Sequence, residues 1–391
     1  MNPRQRFGII AHYSTTNYGN HLVNYASRRI LRECGFDADL VVIQGSQEAR
    51  YDALKRLPRK LARLGLRGLV SRAAGRLNRM GSPKSTTDSA ATSMARRKER
   101  FADFSREYLE PVLVERDAVS MLRETYARLA IGSDQIWNYD YGVGGSLFAD
   151  FTTQSEVVTL SPSVGHESLP AEWITSYNRW LSGFTEVGTR ETEWTRSLGT
   201  TMHTPTFTLL VDPTLMYDKE VWGSIAKPFP EARGKALLYH LGPLLPAHDE
   251  YVRELAKNHS LGVLHVSDTV AGPAWETNAS DFLGMIQEAS CVVTDSYHGA
   301  IFAFLFNKPL VLLERHGFAG AMNTRTRTLT ERLRLTTRYV DQLDPREALS
   351  HDYAEGYELL ETYREDFWAY LRRCGVNRIN TSTASQSNTH N

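Results

Sequence analysis

Short apolar runs alternate with polar stretches and helical patterns along most of the chain. Phe7-Gly8-Ile9-Ile10-Ala11 predicts a buried strand, and Ser14 to Asn20 a polar loop. Leu22 to Cys34 carries helical periodicity and is stopped by Gly35; Leu40-Val41-Val42-Ile43 predicts a second strand. Strand, loop, helix and strand in that order make a βαβ unit with a parallel sheet. Further strands are expected at Leu129-Ala130-Ile131, Val157 to Leu160, Val187 to Glu191 and Thr208 to Asp212. A second set follows at Ala236 to Tyr239, Gly262 to Val266, Cys291 to Thr294 and Leu310 to Leu313, with helices around Val252 to Lys257, Asp281 to Ala289 and Gly299 to Phe306. The pattern predicts an α/β protein of two consecutive doubly wound parallel-sheet units, residues 1–185 and 186–379, joined within 185–235. The Ser-, Thr-, Asn- and Gln-rich tail 380–391 has too few apolar residues to fold on its own.

Residues 51 to about 100 break this rhythm and read as a basic helical insertion in the first unit. Lys55 to Arg79 is rich in Arg and free of acids, with Leu54, Leu57, Leu61 and Leu64 at helical spacing. Two readings stand for 54–80: an interfacial helix that touches anionic lipid head groups, or a solvated helix that covers the domain. The cluster Arg96-Arg97-Lys98 precedes a helical pattern through Phe101, Phe104 and Tyr108. Elsewhere charge balances, with 45 Lys plus Arg against 45 Asp plus Glu in 391 residues, so nothing global points to nucleic acid. Three scattered cysteines exclude a zinc knuckle or a disulfide framework and fit a reducing cytoplasm. No apolar run reaches the length of a membrane span, and Phe7 to Ala11 is too short for a signal peptide. The expected location is the cytoplasm, at the inner face of the membrane if 54–80 makes that contact.

Chemistry is expected where strands end in polar clusters. In Thr294-Asp295-Ser296-Tyr297-His298-Gly299 a strand gives way at once to a helix, whose first N–H groups and positive dipole end suit phosphate or carboxylate. Thr294 and Ser296 add hydroxyls, and His298 an imidazole able to exchange protons near neutral pH; a capped helix with a satisfied histidine is the plainer alternative. In Gly132-Ser133-Asp134-Gln135-Ile136-Trp137-Asn138, Asp134 and Gln135 could bind sugar hydroxyls and Trp137 could stack on a pyranose ring, or the segment is a tight turn with a buried Trp. Arg190, after another strand, could grip phosphate with two N–H groups. Asn17-Tyr18-Gly19-Asn20 could wrap a substrate with backbone amides, or be a plain loop. No HExxH, P-loop, GxSxG or kinase pattern occurs, and no His, Asp and Glu spacing suggests a metal site.

Taken in order, these segments resemble the polysaccharide pyruvyl transferase family. The markers are Thr16 to Asn20, Ile131 to Asn138, Thr189-Arg190-Glu191, Val211-Asp212-Pro213-Thr214-Leu215, and Thr294 to Gly299 with Phe306-Asn307-Lys308-Pro309. The resemblance implies a GT-B-like fold of two Rossmann-like domains facing a cleft, the second holding the donor. It implies transfer of the enolpyruvyl group of phosphoenolpyruvate to a sugar of a glycan or lipid-linked oligosaccharide, closing a pyruvate ketal, with no separate cofactor or metal. His298 and Arg190 would be the catalytic residues. Thr294, Ser296, Tyr297, Gly299, Arg325 and Tyr239 would line the donor site, and Asn17, Tyr18, Gly19, Asn20, Asp134, Gln135 and Trp137 the acceptor site. Some relatives carry Arg where this chain has Ser296, so a cation must come from elsewhere; Arg315, Arg325 and Arg327 are candidates, Arg325 first. A GT-B glycosyltransferase using a nucleotide sugar, with Glu314 on the ribose, or a non-catalytic carbohydrate-binding relative would share the fold.

Overall fold

The computed structural model describes residues 5–44, 85–201, 205–267, 273–316 and 323–379; the basic segment 54–80 and the tail 380–391 lie outside them. The first sheet contains β1 (Arg6–Ile10), β2 (Asp37–Gln44), β3 (Val112–Glu115), β4 (Arg128–Ile131) and β5 (Val158–Thr159), in the order β3-β2-β1-β4-β5 with every pair parallel. Phe7, Ile9 and Ile10 on β1 are all fully buried, although neighbours along a strand face opposite sides. That is the signature of a central parallel strand covered on both faces.

Helix α1 (Tyr18–Glu33) starts four residues earlier than its apolar pattern suggests. Asn17 caps it, its side chain accepting from the Asn20 backbone N–H, so Tyr18, Gly19 and Asn20 form the first helical turn and not a loop. Gly35, at φ 86, ends it in the left-handed conformation that glycine adopts without cost. Helix α2 (Ser85–Phe104) runs into a π turn, Ser105–Leu109.

The second sheet contains β8 (Lys235–His240), β9 (Gly262–Ser267), β10 (Cys291–Thr294) and β11 (Leu310–Leu312), ordered β11-β10-β8-β9 and again parallel. Around it lie α6 (Pro246–Asn258), α7 (Ala279–Glu288), α8 (Tyr297–Leu305) and α9 (Asn323–Arg332). Between the sheets come α3 (Ala171–Leu181), β6 (Glu186–Thr189), α4 (Thr192–Thr201), β7 (Thr206–Leu209) and α5 (Lys219–Ile225). Strands β6 and β7 pair with each other, and a side chain bonds β6 to β5. Gly188 N–H donates to Thr159 Oγ1 at 2.7 Å, and the Thr159 hydroxyl donates to the Gly188 carbonyl at 3.1 Å. The β6–β7 pair, which follows residue 185, is thereby attached to the first sheet.

Helix α10 (Ala354–Arg373) returns to that junction. Tyr370 shares a 2.7 Å hydrogen bond with Thr159 Oγ1, and Arg128 donates to the carbonyls of Cys374 and Gly375 at 2.8 and 3.1 Å. One hydrophobic core runs from Phe7 and Leu22 of the first half through Phe282 and Phe302 of the second to Tyr370. Tyr18 stacks on Phe282 with centroids 4.5 Å apart, and Arg97 lies 3.5 Å over the Trp275 ring while donating to Tyr18 Oη at 2.6 Å. The result is α/β, with two parallel sheets whose strand ends face a shared cleft. Among the described residues no helix is long and apolar enough to cross a membrane.

Candidate active site

In an open parallel sheet the strands end beside unpaired backbone groups and helix N-termini, so ligands collect there. Here the ends of both sheets converge. His12 follows β1, Asp134 follows β4, Arg190 follows β6, Asp212 follows β7, Leu241 follows β8, His298 follows β10 and Arg315 follows β11. A cavity of about 490 Å³ opens at this convergence, within the range of small-molecule sites, with Arg190 and Asp212 behind its lining. Its first wall includes His12, Ser14, Thr15, Asn17, Gln135 and Tyr141; its second includes Ser296, Tyr297, His298, Arg315 and Arg325.

His298 is held from two sides. Ser296 caps α8, its hydroxyl accepting from Gly299 N–H at 3.2 Å, which places His298 in the first helical turn. Gly19 then passes so close that a Cβ added to it would stand 2.1 Å from His298 Nδ1. On the other side, His298 Nε2 stands 3.5 Å from Asp212 Oδ2. Asp212 is fully buried and accepts at its other oxygen from Thr214 N–H and Oγ1, at 2.8 and 2.6 Å. These bonds cap the short turn Pro213–Met216, which is why β7 stops at Leu209 and not at Asp212.

Arg190 pairs with Asp212 at 2.8 Å, approaches Asp134 at 3.8 Å and donates to Ser133 Oγ at 2.5 Å. Only 2% exposed, it lies one layer behind the cavity, under the Tyr297 ring with its guanidinium carbon 5.0 Å from the centroid. Arg325 flanks the same ring at 5.5 Å, lines the cavity and pairs with Asp134 at 3.3 Å. The Gln135 side-chain amide lies against the Arg325 guanidinium. Asp134 sits at φ 60, a left-handed conformation that costs a non-glycine residue roughly 1 kcal/mol and that Asp tolerates better than most. Asn20 holds its second oxygen at 3.0 Å.

Burial and charge oppose each other throughout this floor. Burial alone would raise the Asp212 carboxyl; Arg190, then His298 and Thr214, hold it down at about 2. Burial would likewise raise Asp134, but His298, Arg190 and Arg325 bring it well below the carboxylate range. Glu191 goes the other way: burial outweighs Arg190 and the hydrogen bond from Ser163, and its carboxyl is raised. Burial also lowers Arg325 and His12, so His12 presents an uncharged imidazole to the cavity at neutral pH. Asp295 receives Leu241 N–H and Gly242 N–H at 2.8 and 2.7 Å and pairs with Arg315 at 3.3 Å.

Several residues expected from sequence to touch substrate face elsewhere. Trp137 is fully buried, donates from Nε1 to the Leu147 carbonyl at 3.0 Å and stacks on Phe148, so it cannot meet a sugar. Tyr18 and Tyr239 are core residues packed on Phe282. Thr294 accepts from Ser296 N–H at 3.0 Å, and Gly299 packs against it. Asn20 and Gly19 act through Asp134 and His298. Arg327 lies on the surface near Glu167 and Glu314, at 3.4 and 3.6 Å, so of the three candidate cations Arg315 and Arg325 reach the cavity. Sequence reasoning missed His12, Tyr141, Asp212 and Asp295. The signal was available for the last two, an acid directly after an apolar strand. Among the described residues no group of three His, Cys, Asp or Glu side chains is arranged to hold a metal ion.

Comparison with known proteins bears on the sequence and on the fold. The family model described as polysaccharide pyruvyl transferase matches residues 17–317. No curated protein is significantly similar to the chain in sequence. Among solved structures, the chain is similar to the TarM protein of Staphylococcus aureus (8% identity, TM-score 0.45, 95% of this chain and 99% of that one). It is also similar to UDP-GlcNAc 2-epimerase of Neisseria meningitidis (8%, 0.41, 94% and 99%) and to ADP-heptose LPS heptosyltransferase II of Escherichia coli (10%, 0.33, 93% and 99%).

Proposed function

The chain belongs to the polysaccharide pyruvyl transferase family, and from that premise we propose that it transfers the enolpyruvyl group of phosphoenolpyruvate to a sugar of a glycan or lipid-linked oligosaccharide, closing a pyruvate ketal. The observation that carries this reading is His298 at the first turn of α8, in one cavity with Arg315 and Arg325. Phosphoenolpyruvate carries a phosphate and a carboxylate. Two guanidinium groups and the N–H groups at the start of α8 match that charge, and Arg325 supplies the cation that Ser296 does not.

In the reaction the donor's methylene carbon gains a proton, and positive charge develops on the carbon bearing the phosphate. One sugar hydroxyl attacks that carbon and loses its proton. The carbon–oxygen bond to phosphate breaks, a second hydroxyl attacks, and its proton balances the departing phosphate. His298 is the group placed to give the first proton and recover one from the acceptor. Asp212 lies behind it and would stabilise the charged imidazole. Arg190, behind Tyr297, holds Asp212 in place and acts as a positioning residue. The scheme draws its positive charge from arginines and calls for no bound metal.

The test is phosphate release from phosphoenolpyruvate with a panel of glycans as acceptors. His298→Ala is expected to abolish release while keeping the wild-type melting temperature. Near-normal turnover in that variant would remove His298 from the chemistry.

A further inference from the structure

Two of the exposed large apolar side chains, Tyr141 at 50% and Leu241 at 37%, line the same cavity from opposite halves. Exposed apolar groups on a convex surface mean little; a facing pair inside a concave, otherwise polar site is the pattern of a ligand with an apolar face.

Tyr141 also has a fixed backbone and a neighbouring ring. Its ring lies parallel to that of His12, with centroids 5.7 Å apart and an interplanar angle of 12°. Its backbone N–H donates to the Asn138 carbonyl at 3.0 Å, and Asn138 caps the turn Tyr139–Tyr141 by accepting from Asp140 N–H at 2.8 Å. Gly142, at φ 82, closes the turn. Asp140 pairs with His166 at 3.2 Å, and His166 stacks on Tyr139. An aromatic side chain already fixed loses little freedom when a ligand covers it.

A pyranose has an apolar C–H face and a hydroxyl-bearing edge. The wall beside Tyr141 matches both, with the ring for the face and Ser14, Thr15 and Asn17 for the edge. We propose that Tyr141, opposed by Leu241, is the platform on which a pyranose ring of the acceptor stacks. The stacking role thus belongs to Tyr141 and not to Trp137 in the same segment. This inference rests on the reading of the protein as a glycan-modifying transferase.

The experiment uses the full chain and a panel of methyl hexopyranosides of gluco, galacto and manno configuration. Binding is read by saturation-transfer NMR and titration, with phosphoenolpyruvate affinity measured in parallel by calorimetry. Wild type is expected to bind at least one glycoside, with saturation strongest at the ring C–H protons. Tyr141→Ala should weaken that binding about tenfold, the size of one good aromatic contact, and Tyr141→Phe should retain it. Phosphoenolpyruvate affinity should be unchanged in both. Equal glycoside binding by Tyr141→Ala and wild type overturns the platform and leaves the transferase reading intact. No glycoside binding by wild type also overturns the platform. Failure to bind phosphoenolpyruvate alone strikes the donor reading and leaves the platform standing.

Discussion

Gly19→Ala isolates the contact that seats His298. The added Cβ would stand 2.1 Å from His298 Nδ1 and 2.3 Å from Cγ, whereas ordinary contact begins at 3.4 Å, so ring or helix must yield by about 1.3 Å. Neither partner yields freely, because Asn17 caps α1 on one side and Ser296 caps α8 on the other. Alanine is worth up to about 1 kcal/mol over glycine inside a helix. Overpacking a tight contact costs about 1–3 kcal/mol, so the net effect is destabilising. A reacting group displaced by about 1 Å can lose about 100-fold in rate, and that is the expected fall in phosphate release. The decisive measurement is a double-mutant cycle on melting temperature and urea midpoint. On a His298→Ala background the ring contacts are gone and the His298 Cβ contact at 2.7 Å remains, so Gly19→Ala should cost much less there. A cost that is the same on both backgrounds, or a single variant with wild-type rate and stability, would refute the reasoning.

Arg325→Ala is expected to weaken phosphoenolpyruvate binding about 10- to 100-fold by calorimetry, from the loss of charge-assisted hydrogen bonds, whereas Arg327→Ala on the surface should bind normally. Arg190→Met leaves Asp212 buried without its main partner, at a cost of about 3–5 kcal/mol. That cost should depend on pH. In wild type the Asp212 carboxyl lies at about 2, so its contribution is complete above the ordinary carboxylate range and is lost as pH falls towards 2. In the variant burial is opposed chiefly by His298 and Thr214, so that carboxyl rises; the cost is then largest above the ordinary carboxylate range and shrinks as pH falls, and urea midpoints of both proteins across pH 3–8 read the difference. Trp137→Ala should cost about 3–5 kcal/mol of stability as a core truncation, with glycoside binding by the folded protein unchanged.

The alternating units and the strand ends were legible because buried parallel strands read as short apolar runs and helices as amphipathic ones. His298, Arg325 and Asp134 meet in one site because each follows a strand or starts a helix on the same side of its sheet. What the sequence hid lies in direction. Trp137 and Tyr141 are four residues apart in one aromatic segment, and pattern alone does not tell which ring points into the core. Tyr18 to Asn20 looked like a loop because a polar first turn carries no apolar stripe; its helical state depends on the Asn17 cap. Arg190 looked like a ligand-gripping arginine, and only the positions of Asp212 and Tyr297 show it to be the keystone beneath the site. Long-range ion pairs of this kind leave no periodic trace.

The return of α10 to the first sheet bears on how the protein comes apart. Tyr370 completes the hydrogen bonding of Thr159, and Thr159 in turn joins β5 to β6. Helix α10 therefore braces the edge of the sheet that contains β1, and the two share one apolar interior. A fragment ending near residue 185 would lack part of its own foundation. Heating should accordingly melt both sheets in one cooperative transition, and the β5–β6 junction cannot gain its Tyr370 bond until α10 has been made.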